Sequence, residues 1–379
     1  MIRLPRFRYL APATVAEASA VLRDEGPAAM LLAGGTDLLP NMKRRQQQPS
    51  VLVALRRIPE LRRREVKDGA LVIGAGVLLE DLVADRTLAD GHAAAWRAAA
   101  QVATPLIRNQ ATLGGNLCLD TRCNYYNQSG EWRRAIDFCM KAPAAAAGVY
   151  RAGDFVGGAR GDVDHDGEAR GSICWVAPGS PRCWAASSSD TAPALIALRA
   201  EVELVSHRGA RRIPLADLYN NDGMAYLTKQ PDEILTRIFV PAAPAASGWR
   251  STYWKLRRRG SFDFPVAAAG AAVRLSASGV VEEARVVLGA VASRPVVCDK
   301  AASALVGRPL TDDAVEACAE AATRFAKPLD NTDFALGWRK AATRALVAGA
   351  LRELRGDDPA ALGVMARHAR RALPLPVHA

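Results

Sequence analysis

The stretch LLAGGTDLL, residues 31 to 39, decides the fold. A short apolar run ends there in two consecutive glycines, which reach backbone angles that other residues avoid and let N–H groups converge on an anion. A second turn of the same kind, ATLGGNLC, occupies residues 111 to 118. Each turn alone is a weak signal, and two ordinary tight turns are the alternative. As a pair, they predict a pyrophosphate held from both sides.

The sequence around these turns predicts mixed helices and strands. TVAEASAVLRDEG (residues 14–26) has a threonine cap and a glycine stop, typical of a helix, and SVLVALRRI (50–58) is typical of a strand. Two Ala-rich helices are predicted near residues 311–325 and 334–354. IGAGVL (73–78) resembles the start of a dinucleotide fingerprint, but Leu79 stands at the third glycine position, which excludes a Rossmann site.

From about residue 118 to 184 the regular pattern breaks. Beyond Cys118, which adjoins the second glycine turn, four of the seven cysteines lie in this stretch. Their spacings of 16, 35 and 9 positions fit no zinc knuckle, whereas an iron–sulfur cluster can take thiolates from distant points of a loop. Spacing alone leaves zinc, a cluster and structural thiols open. DVDHDGEARGSI (162–173) begins like a calcium loop, but its twelfth position is Ile173, so a calcium site is not predicted.

Composition narrows the class of protein. Half of the 379 residues are hydrophobic, yet no run of 18 apolar residues occurs, so we predict no membrane span. The start of the chain lacks the features of a secretory signal, which with seven cysteines predicts a cytoplasmic protein without disulfides. The net charge of +11 comes from scattered arginines, so no nucleic-acid partner is predicted. A zinc-stabilised basic binding protein is the remote alternative.

No constellation for acid–base or nucleophilic catalysis is evident. The five histidines are scattered, and no Ser-His-Asp or paired-carboxylate pattern occurs. We therefore assign no catalytic residue, and the chain is typical of a protein that holds a cofactor.

Four motifs in a fixed order resemble one family. LLAGGTDLL and ATLGGN are followed by SSSDTAPALIAL (187–198) and YWKLRRRGSFDFPVAAAGAAV (253–273). Together they resemble the FAD subunit of the molybdenum hydroxylases, the family of the xanthine dehydrogenase flavin domain and the carbon monoxide dehydrogenase medium subunit. The resemblance implies an oxidoreductase subunit of the α+β class. It implies a two-subdomain FAD-binding fold (PCMH/vanillyl-alcohol-oxidase-like), then a CO dehydrogenase flavoprotein C-terminal domain with a three-stranded sheet plus helices.

The resemblance also implies domain bounds and cofactor contacts. The FAD-binding domain would cover residues 1–241, with subdomains at about 1–60 and 61–241 and a cysteine-rich insert at about 118–184, and the C-terminal domain 250–379. The implied FAD contacts come from both glycine turns, the Ser-Asp pair, two apolar residues and a C-terminal lysine: Leu32, Ala33, Gly34, Gly35, Thr36, Asp37, Leu38, Thr112, Gly114, Gly115, Asn116, Ser189, Asp190, Ile234, Leu235 and Lys255.

The cysteine segment resembles one branch of the family. NLCLDTRCNYYNQSGEWRRAIDFCMK (116–141) is similar to the start of the insert that carries a [4Fe-4S] cluster in the β subunit of 4-hydroxybenzoyl-CoA reductase. The implied ligands are Cys123, Cys139, Cys174 and Cys183. Residues 142–173 are longer than the usual insert of that branch.

The resemblance to this branch implies an electron-transfer role in aromatic degradation. Electrons would pass from a ferredoxin-like donor through the [4Fe-4S] cluster and FAD to a small [2Fe-2S] subunit and a large molybdopterin-binding subunit, within a dimer of heterotrimers. There an aromatic acyl-CoA would be reductively dehydroxylated. The alternative is the FAD subunit of an oxidative xanthine, aldehyde or CO dehydrogenase-type hydroxylase.

Overall fold

The structure is a computed structural model that describes residues 3–142, 172–242, 247–260, 262–332 and 334–362. Most of the segment 142–173, including nearly all of the stretch compared with a calcium loop, lies outside these ranges.

A small lobe is built on a parallel sheet of order β1–β3–β2. The first helix begins where the Thr14 hydroxyl accepts a hydrogen bond from Glu17 N, and it ends at Gly26, whose φ is 52°. The central strand is buried along its whole length, as expected for a strand covered on both faces. The predicted helix is confirmed as Val15–Glu25 (α1), and the predicted strands as Ala29–Leu32 (β2) and Val51–Ala54 (β3). The lobe also contains Arg8–Leu10 (β1) and Leu38–Lys43 (α2), which were not predicted.

A larger lobe is built on an antiparallel sheet of order β4–β5–β8–β6–β7. Its strands are Arg64–Lys67 (β4), Ala70–Gly74 (β5), Glu201–Ser206 (β6), Gly209–Pro214 (β7) and Ile234–Pro241 (β8). Its helices are Leu79–Ala84 (α3), Arg86–Gly91 (α4), Ala93–Ala100 (α5), Pro105–Arg108 (α6), Leu113–Leu117 (α7), Gly130–Ala135 (α8) and Thr191–Ala197 (α9). The described parts of the cysteine-rich stretch, residues 118–142 and 172–184, are irregular as predicted, apart from the short helix α8.

The C-terminal domain pairs an antiparallel sheet with helices. Its elements are Trp249–Leu256 (β9), Ala267–Leu275 (β10), Val281–Gly289 (β11), Val296–Val297 (β12), Asp299–Ala302 (α10), Asp312–Thr323 (α11) and Leu336–Arg355 (α12). The two Ala-rich helices are confirmed. The sheet has four strands where three were expected, because β12 pairs with Val287 and Leu288 and covers the edge that β11 would otherwise expose. In the part of the chain that the structure describes, no helix is both long and apolar enough to cross a bilayer.

Close backbone packing joins the C-terminal domain to the larger lobe. A Cβ added to Gly270 of β10 would lie 2.6 Å from the carbonyl oxygen of Pro193 in α9. Only a glycine lets the central strand approach the helix backbone so closely. The sheet of the C-terminal domain therefore has a fixed position against the helix that follows the Ser-Asp pair.

A part-buried carboxylate, Glu353, ties the last helix to both domains. It accepts hydrogen bonds from Trp254 Nε1 at 2.6 Å and Thr252 Oγ1 at 2.8 Å, and it forms an ion pair with Arg97 of α5. One side chain of α12 thus binds β9 and a helix of the larger lobe together.

Replacing Glu353 with alanine should destabilise the protein strongly. The change leaves the part-buried Arg97 and the Trp254 N–H without their acceptor, so we expect a loss of roughly 3 kcal/mol in the free energy of unfolding, measured by urea denaturation. Glu316→Ala is the control, because Glu316 of α11 pairs with Arg344 and Arg352 at the surface and its loss should cost less than about 1 kcal/mol. Equal losses in the two variants would contradict the assignment.

Candidate functional site

A cavity of about 680 Å³ lies where the small lobe, the larger lobe and a loop of the C-terminal domain meet. Its volume is in the range of cofactor pockets. It brings together residues from all the motifs singled out in the sequence. Of the residues that the resemblance assigns to FAD, those that line it are Ala33, Gly34, Gly35, Thr36, Asp37, Leu38, Thr112, Gly114, Gly115, Asn116, Asp190, Ile234 and Leu235.

The two glycine turns touch each other through their backbones. A Cβ on Gly34 would overlap the carbonyl oxygen of Gln110, just before the second turn, and Gly35 has a φ of 72°. In the second turn, the Thr112 hydroxyl accepts from Gly115 N at 3.0 Å and caps α7. Side chains are excluded at this seam, so peptide groups form the cavity wall. Such a wall suits the phosphates of a dinucleotide.

The segment IGAGVL supports the second turn. Gly114 N donates to Ala75 O at 2.8 Å and Leu113 N donates to Val77 O at 2.9 Å, and a Cβ on Gly114 would lie 2.6 Å from that of Ala75. Ala75, Gly76, Val77 and Leu78 also line the cavity. Sequence analysis excluded this segment as a dinucleotide fingerprint and missed its contribution to the wall. The two glycines on either side of Ala75, Gly74 and Gly76, were the signal in the sequence that could have indicated this contribution.

Ser189 lies behind the wall. Its hydroxyl donates to Asn116 Oδ1 at 2.9 Å, and the same oxygen accepts from Thr191 Oγ1 at 2.7 Å. Asn116 therefore fastens the second turn to the start of α9. Ser189 is not among the residues that line the cavity, and neither is Leu32, the last residue of β2.

Lys255 is fully buried behind Asp190. Its Nζ donates to Asp190 Oδ2 at 2.8 Å and to Gln101 O at 2.9 Å, while Tyr253 donates to Asp190 Oδ1 at 2.7 Å. Burial raises the pKa of Asp190 and lowers that of Lys255, and the attraction between the two opposes both shifts. Asp190 lines the cavity and Lys255 does not. The implied contact of Lys255 with FAD stays a prediction; the structure shows it holding Asp190.

Basic side chains that the sequence did not single out also line the cavity. They are Arg44, Arg56, Arg62, Arg122, Lys229 and Arg259. Arg122 pairs with Asp37 and stands 4.5 Å over the ring of Phe264, and Arg259 pairs with Asp263 at 3.1 Å. Arginines are scattered along the whole chain, so nothing in the sequence marked these six as cavity residues. The cavity is also lined by aspartates, which offset most of this positive charge: Asp37, Asp81, Asp120, Asp190 and Asp263.

The four predicted cluster cysteines share one neighbourhood beside the cavity. Cys123, Cys139 and Cys183 belong to one buried cluster, and the thiols of Cys174 and Cys183 are hydrogen-bonded. All seven cysteines of the chain are free. Within the described residues, no group of three or more histidine, cysteine, aspartate or glutamate side chains has the arrangement of a metal site. The structure thus gathers the thiols without placing them at ligand positions.

Burial and nearby cations act on these thiols in opposite directions. Burial raises the pKa of Cys123 to about 12. Burial also raises the pKa of Cys139. Hydrogen bonds from the backbone and the charges of Arg133 and Lys141 lower it in part. The hydrogen bond between the paired thiols lowers the pKa of Cys174 to about 5 and raises that of Cys183.

Lys141 links the four-cysteine neighbourhood to the cavity. Its Nζ donates to Asp120 Oδ1 at 2.7 Å and to Gly223 O at 2.8 Å, and lies 4.6 Å from the ring centre of Tyr126 and 5.4 Å from that of Tyr226. Asp120 and Tyr226 line the cavity, whereas Tyr126 packs among the cysteines. The two candidate sites are therefore separated by one layer of side chains.

Comparison with known proteins identifies both parts of the chain. Residues 5–243 match the family described as the FAD binding domain in molybdopterin dehydrogenase, and residues 251–354 match the CO dehydrogenase flavoprotein C-terminal domain. These matches confirm the predicted fold class.

Individual relatives cover most of the chain. It is 30% identical to the carbon monoxide dehydrogenase medium chain of Hydrogenophaga pseudoflava, over 86% of this chain and 89% of the relative. It is 33% identical to the FAD-binding subunit of an aldehyde oxidoreductase of Escherichia coli K12, over 76% of this chain and 82% of the relative. A solved structure of the Hydrogenophaga pseudoflava carbon monoxide dehydrogenase, which lacks the Mo-pyranopterin moiety, matches with a TM-score of 0.70 at 27% identity, over 92% of this chain and 97% of that one.

Replacing Gly34 with alanine should weaken FAD binding. The added methyl group forces the first turn away from the Gln110 carbonyl and opens the wall, so we expect a loss of affinity of at least about tenfold, or ~1.4 kcal/mol. Flavin fluorescence titration of the deflavinated protein measures it. Gly91→Ala is the control, since a Cβ there meets no atom within 4 Å. An unchanged affinity for Gly34→Ala would show that the turns are not held by this contact.

Replacing Lys255 with methionine should destabilise the protein by about 3–5 kcal/mol, because it leaves Asp190 buried without its cation. Thermal melting measures the effect, and the exposed Lys300→Met is the control. Adding Asp190→Asn to Lys255→Met should recover part of the loss, since the carboxylate charge is then gone. A double variant that melts below Lys255→Met would refute the pairing as the cause.

Proposed function

This chain belongs to the family of FAD-binding subunits of the molybdopterin dehydrogenases, and we propose that it is the electron-transfer subunit of an oxidative molybdenum hydroxylase that carries an additional [4Fe-4S] cluster. The molybdopterin and [2Fe-2S] centres would reside on a large and a small partner subunit. In that direction electrons leave the substrate on the large subunit and reach this chain last.

The cavity residues fit FAD. The seam at Gly34 and Gly114 presents peptide groups to the diphosphate, and Asp190, held by Lys255 and Tyr253, is a fixed hydrogen-bond acceptor inside the cavity. The Arg122–Asp37 pair fixes the first turn against the cysteine segment. Bound FAD would supply the exchange between two-electron and one-electron transfer. The protein's part is to bind and orient it, and no residue is assigned to acid–base chemistry.

The cluster proposal depends on the four cysteines. Cys123, Cys139, Cys174 and Cys183 come from distant points of the chain and converge in one buried neighbourhood beside two basic side chains. A [4Fe-4S] cluster takes four thiolates from such irregular segments. Structural thiols need no basic neighbours, and zinc prefers closely spaced cysteine pairs. The proposed ligands are these four residues.

The names of the relatives favour the oxidative direction. They include carbon monoxide and nicotinate dehydrogenases and an aldehyde oxidoreductase. The predicted likeness to 4-hydroxybenzoyl-CoA reductase is not supported by them. Reductive dehydroxylation of an aromatic acyl-CoA, fed by a ferredoxin-like donor, is the second candidate, and the four-cysteine neighbourhood is the observation that favours it.

We extend the proposal to assembly and location. One relative is a medium chain and others are FAD subunits, which supports a heterotrimer with a large and a small subunit, doubled into a dimer of heterotrimers. Seven free thiols suit the reducing cytoplasm. The proposed domain bounds are 1–241 and 250–379. They are supported by the sheets, because two of the three end by Pro241 and the third begins at Trp249.

Anaerobic purification of the complete complex tests the proposal. Flavin absorption bands, a broad shoulder near ~400 nm and about four iron atoms per FAD beyond those of the small subunit would support it. If the small subunit accounts for all of the iron, this chain carries no cluster. The proposal that it binds FAD and transfers electrons would be unaffected. Reduction of the flavin by an aldehyde or a heterocycle, against reduction by ferredoxin, separates the two directions.

Replacing Cys139 with serine should remove most of the additional iron and leave the FAD content unchanged, because a hydroxyl is a far poorer cluster ligand than a thiolate. Iron analysis and electron paramagnetic resonance measure the result. Cys318→Ser is the matched control, since Cys318 is equally buried but lies in the core of the C-terminal domain. Full iron in Cys139→Ser would refute the ligand assignment.

A further inference from the structure

A fully buried arginine with unused donors lies among the cysteines. Arg133, on the short helix α8, donates from Nη2 to the carbonyl oxygen of Arg44 at 2.8 Å. Its Nε and Nη1 are buried and have no hydrogen-bond partner within the described part of the chain. Two of the three guanidinium nitrogens are therefore without an acceptor.

Arg339 offers a direct comparison, because it is another fully buried arginine. It is as fully buried as Arg133. Its nitrogens donate to Ala290 O at 2.6 Å, to Leu329 O and Asn331 Oδ1 at 3.0 Å, and to Val266 O at 3.3 Å. A buried N–H group without an acceptor costs free energy, and in a native structure it indicates a ligand or a redox role. The nitrogens of Arg133 that lack an acceptor among the described residues therefore indicate a ligand or a redox role, whereas those of Arg339 do not.

The side chains around Arg133 indicate which ligand that is. The carbonyl oxygen of Arg133 accepts a hydrogen bond from Phe138 N at 2.6 Å, which holds Arg133 beside Cys139, the residue after Phe138. The guanidinium charge acts on that thiol. No ion pair between Arg133 and a carboxylate is found among the residues that the structure describes. Lys141, the other basic neighbour of the cysteines, is neutralised by Asp120. The charge of Arg133 is thus available to an anion at the cysteines.

We propose that Arg133 donates N–H groups to the sulfur atoms of the iron–sulfur cluster and raises its reduction potential. This inference rests on the proposed function, because it needs the cluster at the four cysteines. Reduction adds one electron and no proton, so the cluster becomes more negative by one charge. A fixed cation and N–H donors stabilise the reduced form more than the oxidised form, and the potential rises. Arg133 is a positioning and tuning residue; it transfers no atom.

Potentiometric titration with dithionite and redox mediators, followed by electron paramagnetic resonance on the anaerobic complex, tests the proposal. Arg133→Met should shift the cluster's one-electron reduction equilibrium at least tenfold toward the oxidised form, a potential about 59 mV lower. Arg133→Lys keeps the charge and should shift it less. Arg134→Met is the matched control, because Arg134 is the next residue of α8 and is exposed. The reduction potential of the cluster in this variant should equal that of the wild type.

Each outcome decides between tuning and a purely structural role. An Arg133→Met variant with full iron and the wild-type potential overturns the proposal. If that variant loses its iron, Arg133→Gln, which also lacks the charge, replaces it in the same titration. If both Arg133 variants lose the additional iron while their FAD content and melting temperature stay unchanged, contact between Arg133 and the cluster is supported. If both variants also lose FAD and unfold, the proposal is overturned. A wild-type complex without the additional iron instead refutes the cluster part of the proposed function, on which this inference rests, and leaves the flavin function standing.

Discussion

The backbone contact between the two glycine turns is the constraint on which the cavity depends. Gly34 meets the Gln110 carbonyl with no room for a side chain, and Gly114 meets Ala75 in the same way. Three segments distant in sequence are thereby held with their peptide groups exposed to one space. A wall of this kind binds phosphate through the placement of its peptide groups and not through charged side chains. It can therefore bind any cofactor that contains a pyrophosphate. The remaining specificity has to come from side chains at the two ends of the cavity.

Those side chains are fixed by contacts that pass between domains. Asn116 of the second turn accepts hydrogen bonds from Ser189 and Thr191, and Asp190 between them is held by Tyr253 and Lys255 of β9. The C-terminal domain therefore shapes the cavity mostly from behind. On the opposite side, Arg122 joins the first turn to the cysteine segment through Asp37. The flavin site and the four-cysteine neighbourhood are built on one continuous set of hydrogen bonds and ion pairs.

Local signals in the sequence were sufficient for the first helix, the two Ala-rich helices, the strand β3 and both glycine turns. The Thr14 cap is such a signal, since it depends on neighbouring residues alone. What the sequence did not indicate depends on distant residues. The buried hydrogen bond of Lys255 to Gln101 O joins positions far apart in the chain, and β12 is a two-residue strand defined by its pairing with β11. The basic side chains of the cavity and the role of Ala75 had no local signature, because both depend on contacts across the chain.

The sheet of the larger lobe has a consequence for the order of folding. Strands β5 and β8 pair residues more than 160 positions apart, and the cysteine-rich stretch lies within the loop that this pairing closes. The small lobe, by contrast, pairs strands that are close in sequence. Loop-closure entropy and contact order make the first kind of pairing slow. Contacts that shorten the cysteine-rich loop lower this entropic barrier, so assembly of the proposed iron centre would be kinetically coupled to closure of the flavin lobe during maturation.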